Sequence, residues 1–162
     1  MNAAQLNQKQ DYPNFPEFAQ YGIDLSLTDA ETILTLQEIR NQGRFAIFPG
    51  QYQTNWGRTT GSETSEHYAV GRLATAGDVF PARGKALKFW LLAQDQEDVG
   101  GLGLYLDTKG PDGMLWLMVH FDLRPGPREF WIRDVAGQYW IERLSPIQFW
   151  RNFRVAVQRD VL

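Results

Sequence analysis

The sequence predicts a single domain of the α+β class, built on a small antiparallel sheet flanked by helices. The chain has 162 residues, close to the roughly 150 residues of a typical domain. Its apolar fraction is 43% and its aromatic fraction is 14%, which excludes a disordered chain. Helical segments occur beside neighbouring strand-like segments, and this mix favours α+β over a doubly wound parallel fold.

The N-terminal region predicts an arm followed by a well-defined helix. Residues 1–26 mix Gln, Asn and Pro with scattered aromatic residues, so we expect an arm that is ordered only where those aromatics cover a surface. The folded domain is then residues 27–162. Thr28 and Glu31 form a capping box ahead of apolar residues, and Gly43 is placed as a C-terminal stop. These signals predict a helix over 29–42.

A short strand and a long loop follow this helix. Arg44–Phe48 is predicted as the strand, and residues 49–66 are rich in Gly, Pro, Ser and Thr. Loops of this length in a compact domain are usually functional or disordered. Trp56 lies in this polar loop near His67, which favours a place in a substrate groove. The other tryptophans that we single out fit core or half-buried positions: Trp90, Trp116 and Trp140.

The second half of the chain predicts a helix that leads into a sheet. Ala82–Gln96 carries apolar residues at the spacing of one helical face. Strand-forming residues dominate the next two segments, Gly101–Leu106 and Met114–Leu123. A hairpin is predicted from Phe130–Arg133 and Tyr139–Arg143, and Ser145-Pro146 marks the start of a final helix.

Composition excludes several classes of function. A formal net charge of −3 carries no signature of nucleic-acid binding, which depends on phosphate neutralisation. The absence of cysteine removes disulfides, thiolate metal sites and a cysteine nucleophile. No stretch is long and apolar enough for a membrane span, and the N-terminus lacks the order of a signal peptide. We therefore expect synthesis in the cytoplasm without a signal peptide.

The chain has only two histidines, His67 and His120. His120 lies in an apolar strand, where alternation places its side chain on the same face as Asp122. Two imidazoles and one carboxylate, such as Asp78, fit a catalytic zinc site, which uses three protein ligands. A lone strand histidine is also a common core or surface residue, so spacing leaves both interpretations open.

Three other motifs give weaker support for a catalytic or binding site. Gly100–Gly103 resembles a phosphate loop but precedes a strand-like run rather than a helix. Ser65 and His67 lack the nucleophile elbow of a serine hydrolase. Some acidic residues in polar segments fit a glycosidase pair, although such residues are most often simply solvated: Glu63, Glu66 and Asp112.

A family resemblance joins several of these segments. In chain order they are Ser65-Glu66-His67, Gly71-Arg72, Asp78-Val79-Phe80-Pro81, Gly101-Leu102-Gly103-Leu104-Tyr105, and Val119-His120-Phe121-Asp122-Leu123-Arg124 with Trp131. Over roughly residues 28–131 the chain resembles the zinc D-Ala-D-Ala carboxypeptidase and endolysin peptidase family, and it is most similar to phage and prophage members. The resemblance implies the fold shared with the hedgehog signalling domain.

The resemblance also implies roles for individual residues. His67, Asp78 and His120 would be the zinc ligands, and Ser65 would fix the loop that carries His67. Arg58 matches an arginine that contacts the substrate carbonyl or carboxylate, and Arg72 is a second candidate. An arginine suits that role because its planar charged fork holds a carboxylate through two parallel hydrogen bonds.

The chain departs from the family at the general base. Many members place Glu or Asp three residues before the last histidine, where this chain has Leu117. Asp122 is the nearest replacement, acting either as the base or as a group that orients a ligand. The segment between His67 and Asp78 is also longer than is common in the family.

These residues predict a zinc-dependent peptidase or amidase that acts on the peptide stem of bacterial peptidoglycan, at the cell wall or in a phage particle. A non-catalytic wall-binding or virion structural module is the main alternative, and Leu117 favours it. A muramidase-like hydrolase is a more distant one.

Overall fold

The computed structural model describes residues 23–50 and 55–160. It is a small α+β domain, which confirms the predicted class. Residues 1–22 lie outside the described residues, so the arm predicted over 1–26 stays a prediction. In chain order the elements are a 3₁₀ turn at Leu25–Leu27, α1 (Ala30–Gly43), β1 (Ile47–Pro49), β2 (Ala76–Pro81), α2 (Ala86–Gln94), β3 (Gly101–Tyr105), β4 (Met118–Asp122), β5 (Glu129–Arg133), β6 (Tyr139–Ile141) and α3 (Pro146–Asp160).

The six strands form one mixed sheet in the order β1-β2-β4-β3-β5-β6. All neighbouring pairs are antiparallel except β3 and β5, which are parallel. The prediction of an antiparallel sheet is therefore wrong at this pair. Since β2 already occupies one edge of β4 and β3 the other, β5 pairs beyond β3. The reversal after β4 leaves β5 running in the same direction as β3.

Helix α1 begins one residue later than its capping box predicts. Asp29 is the N-cap, and its side chain accepts a hydrogen bond from the backbone N–H of Glu31 at 2.9 Å. The hydroxyl of Thr28 instead donates to the backbone carbonyl of Trp56. The prediction of Thr28 as the cap is therefore wrong, although the helix itself is confirmed and ends at Gly43.

Other elements are confirmed with shifted bounds. The first strand begins at Ile47, later than predicted, and α2 is shorter than Ala82–Gln96. The predicted strand Met114–Leu123 is reduced to β4 because the residues before it form turns and an isolated bridge. The hairpin of β5 and β6 and the start of α3 at Pro146 agree with prediction. Strand β2, which carries Asp78, is an element that the sequence signals did not predict.

One face of the sheet packs against helices and forms the apolar core. Leu102, Leu104 and Phe121 are fully buried there, with Phe89 of α2 packed against Phe121 at 6.2 Å between ring centroids. Trp56 is also fully buried, and a Cβ on Gly77 would lie 2.6 Å from its ring. The prediction that Trp56 lines a groove is therefore wrong, because its indole fills the core.

The three tryptophans predicted as core or half-buried are confirmed: Trp90 is buried, and Trp116 and Trp140 are half-buried. The opposite face of the sheet is polar around its central strands. There Asp78 of β2 lies opposite His120 of β4, which in turn lies opposite Gly103 of β3. No helix in the described residues is long and apolar enough to cross a membrane.

Candidate metal centre

The three side chains predicted as metal ligands lie together on the polar face of the sheet. Asp78 Oδ1 is 2.8 Å from His120 Nδ1 and 3.5 Å from His67 Nε2. The two imidazole nitrogens are 3.2 Å apart. One donor atom from each residue lies within 4.8 Å of the others. Both histidines are buried. Because their donor atoms and that of Asp78 lie this close together, the three side chains could hold a metal ion.

Strand pairing positions two of these ligands and a braced loop positions the third. Asp78 and His120 are direct partners in the antiparallel pair of β2 and β4, so both project from the same face. The carbonyl of His67 accepts a hydrogen bond from the N–H of Arg58 at 2.9 Å. Ser65 Oγ accepts one from the N–H of His67 at 3.3 Å. This contact supports the implied role of Ser65 in fixing the loop.

Asp122 contacts the side of the His120 ring that faces away from the other ligands. Its fully buried carboxylate lies 2.9 Å from His120 Nε2. It also accepts hydrogen bonds from Nε of Arg124 at 2.8 Å and from the backbone N–H of Arg124 at 3.1 Å. A carboxylate acts here as an acceptor, so Nε2 carries the hydrogen and Nδ1 is directed at Asp78 and His67. This is the arrangement by which an outer carboxylate orients a histidine ligand.

The alternating glycines of β3 leave room for this arrangement. A Cβ on Gly101 would lie 2.4 Å from Asp122 Oδ2, and a Cβ on Gly103 would lie 2.3 Å from Nε1 of Trp131. Any larger residue would displace a group that packs against His120. Gly101 and Gly103 therefore leave space for the side chains of Asp122 and Trp131 on the polar face of the sheet. This role accounts for the glycines without a phosphate-binding loop.

Trp131 and Arg124 complete the surroundings of His120. The Trp131 ring lies 5.1 Å from the His120 ring, and the Arg124 guanidinium lies 5.3 Å from the Trp131 ring. Arg124 thus holds the carboxylate behind His120 and also covers the indole beside it. Sequence reasoning gave Arg124 no role. Its signal is the position two residues after Asp122, which allows its side chain and its backbone N–H to reach the same carboxylate.

The charges around His120 shift the pKa values of His120, Asp78 and Asp122. Burial opposes protonation of His120, but hydrogen bonds to Asp122 and Asp78 and the charges of both carboxylates outweigh it and raise the pKa of His120 to about 9. Burial would raise the pKa of Asp78, but the two histidines hold it well below its usual range. The pKa of Asp122 is lowered in the same way by His120 and Arg124. A metal ion would therefore replace a proton on His120 Nδ1.

The two arginines proposed for substrate contact lie in the loop that carries His67. Arg72 donates to the carbonyl of Ser65 at 2.9 Å and to the Glu66 carboxylate at 3.3 Å. Nε of Arg58 is buried and has no hydrogen-bond partner among the described residues. Both arginines therefore lie on the segment beside the metal ligands, and their contact with substrate stays a prediction.

The remaining acidic candidates do not form a pair. Asp112 forms an ion pair with Arg83 at 2.7 Å, and Glu66 accepts a hydrogen bond from Thr75 at 2.8 Å. Glu63 is exposed in the loop. No contact joins any two of these three carboxylates in the described part of the chain, which gives the glycosidase interpretation no support.

The donor set fits a metal of the zinc type. Two imidazole nitrogens and one carboxylate oxygen match the three protein ligands of catalytic zinc sites, which leave a further position for water or substrate. Comparison of the chain with protein-family models gave no match, and comparisons with the curated proteins and the solved structures gave none either. The chemistry of the site and the sequence resemblance described above are therefore the basis for proposing a function.

Proposed function

We propose that the protein is a zinc-dependent peptidase or amidase that cleaves a D-amino-acid-containing bond in the peptide stem of bacterial peptidoglycan. The observation that carries this proposal is the meeting of His67, Asp78 and His120 in one buried cluster, although they are distant in sequence. The resemblance to the peptidase family supplies the substrate class and the expectation of the hedgehog-type fold. It also supplies the site of action, at the cell wall or in a phage particle.

Each residue has a separate task in this proposal. A zinc ion bound there would lower the pKa of a coordinated water to about 7 and polarise a carbonyl group. His67, Asp78 and His120 hold the ion, and Asp122 fixes the tautomer and direction of His120. Arg58, next to the His67 carbonyl, is the first candidate for a substrate carboxylate, with Arg72 second.

Of the two roles considered for Asp122, orientation fits its environment better than general base catalysis. Its carboxylate is fully buried and already bonded to His120 and Arg124. Its lowered pKa makes it a weak proton acceptor at neutral pH. Asp122 therefore acts through His120, as a positioning residue.

A non-catalytic wall-binding or virion module is the second candidate, favoured by one specific observation. Leu117 stands where many family members have the base, and it is buried at 7% exposure. Leu117 lies just before β4 and packs in the apolar core, away from the polar face that carries His120. Such a module would keep the metal centre and the affinity for peptidoglycan while lacking turnover.

Metal analysis combined with peptidoglycan digestion separates these candidates. For a peptidase, wild-type protein contains one zinc per chain and releases stem-peptide fragments that mass spectrometry identifies. Asp78→Ala should lose both properties, because it removes one of three ligands. Asp112→Ala is the matched control, since Asp112 is an exposed carboxylate outside the cluster. Full zinc loading without fragments from several stem types would contradict the peptidase proposal and support the module.

A further inference from the structure

Tyr105 ends strand β3 on the polar face of the sheet, the face that carries the metal cluster. Residues two apart on a strand project from the same face, so Tyr105 shares a face with Gly103, which lies opposite His120 in the register of β3 and β4. Where Gly103 leaves space, Tyr105 brings a half-buried aromatic ring and a hydroxyl group. The family resemblance gave this tyrosine no task.

The Tyr105 hydroxyl reaches back along β3 towards His120. Its oxygen lies 3.4 Å from Nε1 of Trp131. That indole nitrogen stands over Gly103, because a Cβ on Gly103 would lie 2.3 Å from it. The Trp131 ring in turn lies 5.1 Å from the His120 ring, measured between ring centroids. A single indole ring therefore separates the hydroxyl from a metal ligand.

The contact with Trp131 decides how the Tyr105 hydroxyl can act. An indole N–H is a donor only, so the Tyr105 oxygen accepts in this contact and its own hydrogen is directed elsewhere. Burial raises the pKa of Tyr105, and the negative charge of Asp78 and a hydrogen bond with the Tyr139 side chain raise it further. The phenol is therefore neutral at neutral pH and keeps a hydrogen that it can donate.

Neighbouring side chains hold the Tyr105 ring in place before any substrate binds. The Arg133 guanidinium lies 5.7 Å from the ring and is itself fixed by an ion pair with Asp107 at 2.6 Å. The Tyr139 ring packs edge-on at 6.0 Å between centroids. Because Tyr139 is 55% exposed, water can replace Tyr105 as its partner. An oxygen of a bound substrate can then accept the Tyr105 hydrogen.

The two other side-chain donors around His120 are already engaged. Arg124 donates to the Asp122 carboxylate through Nε at 2.8 Å, and Trp131 donates to Tyr105 itself. Arg124 is also held by its ion pair with a fully buried carboxylate. Of these three donors beside the metal ligand, Tyr105 is the one whose hydrogen is paired with an exposed group.

We propose that Tyr105 is a further catalytic residue, which donates a hydrogen bond from its hydroxyl to the carbonyl oxygen of the bond that is cleaved. The inference rests on the proposed function, because the metal cluster defines where that bond lies. Negative charge develops on this oxygen when water attacks the carbonyl carbon, and a donor already in place stabilises the charge. Tyr105 keeps its proton throughout, and its role is separate from the carboxylate contact assigned to Arg58 and Arg72.

Tyr105→Phe tests the role in catalysis, because it removes the hydroxyl and keeps the ring. In zinc-loaded full-length protein it should lower kcat for the release of stem-peptide fragments by roughly 10²–10³-fold, the usual effect of losing one such donor. KM should change little, since the hydrogen bond gains strength only as charge develops. Zinc affinity should equal that of wild type, because Tyr105 is outside the ligand set.

Binding of acetohydroxamate to the zinc-loaded protein gives a readout that needs no turnover. A hydroxamate chelates zinc through two oxygens, one of which is a carbonyl oxygen that can accept the Tyr105 hydrogen. Isothermal titration calorimetry should show that wild type binds this probe about twofold to tenfold more tightly than Tyr105→Phe, the range expected for one net hydrogen bond.

Tyr139→Phe is the matched control, since it removes a hydroxyl from the exposed ring that packs against Tyr105. It should weaken neither kcat nor hydroxamate binding. Equal losses in the two variants would assign the effect to the aromatic pair and overturn the inference. A Tyr105→Phe protein with wild-type kcat and wild-type hydroxamate affinity would also overturn it, and a lower melting temperature alone would show that the hydroxyl serves only Trp131.

The two measurements keep this inference distinguishable from the proposed function. Undiminished fragment release by Tyr105→Phe would support the peptidase and overturn the role of Tyr105. Weaker hydroxamate binding by Tyr105→Phe, in a zinc-loaded protein that releases no fragments, would support Tyr105 as the donor while the peptidase proposal fails. A wild-type protein that binds no zinc would overturn both.

Discussion

The two faces of the central sheet use the same strands in opposite ways. On the helix-covered face, Leu102, Leu104 and Phe121 are fully buried among other apolar side chains. On the other face, His120 and Asp122 are also buried, but each makes hydrogen bonds to charged groups. Packing volume stabilises the first face, whereas on the second face hydrogen bonds and opposite charges offset the cost of burying His120 and Asp122. Alternation along β4 lets one five-residue strand serve both.

The contrast predicts which changes each face tolerates. On the apolar face, the cost of a substitution follows from the volume that is removed. On the polar face, removing one partner leaves a buried charge unpaired, although little volume changes. Stability and metal affinity should therefore respond separately to mutations only one residue apart.

Phe121→Ala should give the largest effect on stability. A Phe to Ala change in a core typically lowers the free energy of unfolding by about 3–5 kcal/mol, and Phe121 is fully buried against Phe89. Urea denaturation measures the loss. Leu91→Ala is the control, since Leu91 is 59% exposed, and it should change stability by less than about 0.5 kcal/mol. Equal losses for the two variants would contradict the assignment of the packed face.

The next largest expected effect is the change of metal affinity with pH. Because the pKa of His120 is raised to about 9 and the metal replaces its proton, affinity should fall about tenfold for each pH unit below that value. The fall from pH 8 to pH 6 would be about a hundredfold, measured by competition with a chelator. An affinity that is constant down to the ordinary histidine value of about 6.5 would refute the raised pKa.

The stability of the metal-free protein should change with pH in the opposite direction. A folded-state pKa of about 9, raised from 6.5, contributes stability that is complete below 6.5 and is lost as pH rises through 9. Thermal unfolding after chelation should therefore show a lower melting temperature at pH 9 than at pH 6. In His120→Ala this decrease should disappear.

Asp122→Asn should weaken metal binding by roughly 10–100-fold, the usual effect of losing a group that orients a ligand. Activity should then return when zinc is raised to saturation. NMR of the histidine side chains adds a readout that does not depend on activity, because His120 should lose its preference for a hydrogen on Nε2. Unchanged zinc affinity together with a turnover loss of 10²–10⁴-fold, the range of a positioned acid–base group, would show instead that Asp122 is the general base.

Arg72→Gln should give the smallest effect. Its ion pair with Glu66 is partly exposed, with 43% of the arginine side chain accessible, and exposed pairs contribute about 0.2–1 kcal/mol. Urea denaturation should show a loss within that range. A raised KM for stem peptides with unchanged stability would support the substrate-contact role that the family resemblance implies.

Local signals in the sequence predicted most elements but not their partners. Helix α1 and the hairpin of β5 and β6 depend on nearby residues, so their patterns were sufficient to predict them. Strand β2 was missed because Ala76–Pro81 is stabilised by pairing with β1 and β4, which are distant in sequence. The predicted position of Trp56 was wrong for a similar reason, because its place in the core depends on contact with Gly77, which is distant in sequence.

By itself, the sequence determined the α+β class and the residue types of the metal cluster, because periodicity, caps and the scarcity of histidine are local or compositional properties. Tertiary structure alone decided that Asp78 lies opposite His120, that His67 joins them, and that β3 and β5 run parallel. Pairing register and side-chain packing join residues distant in the chain. Their energies depend on three-dimensional proximity, which no local pattern encodes.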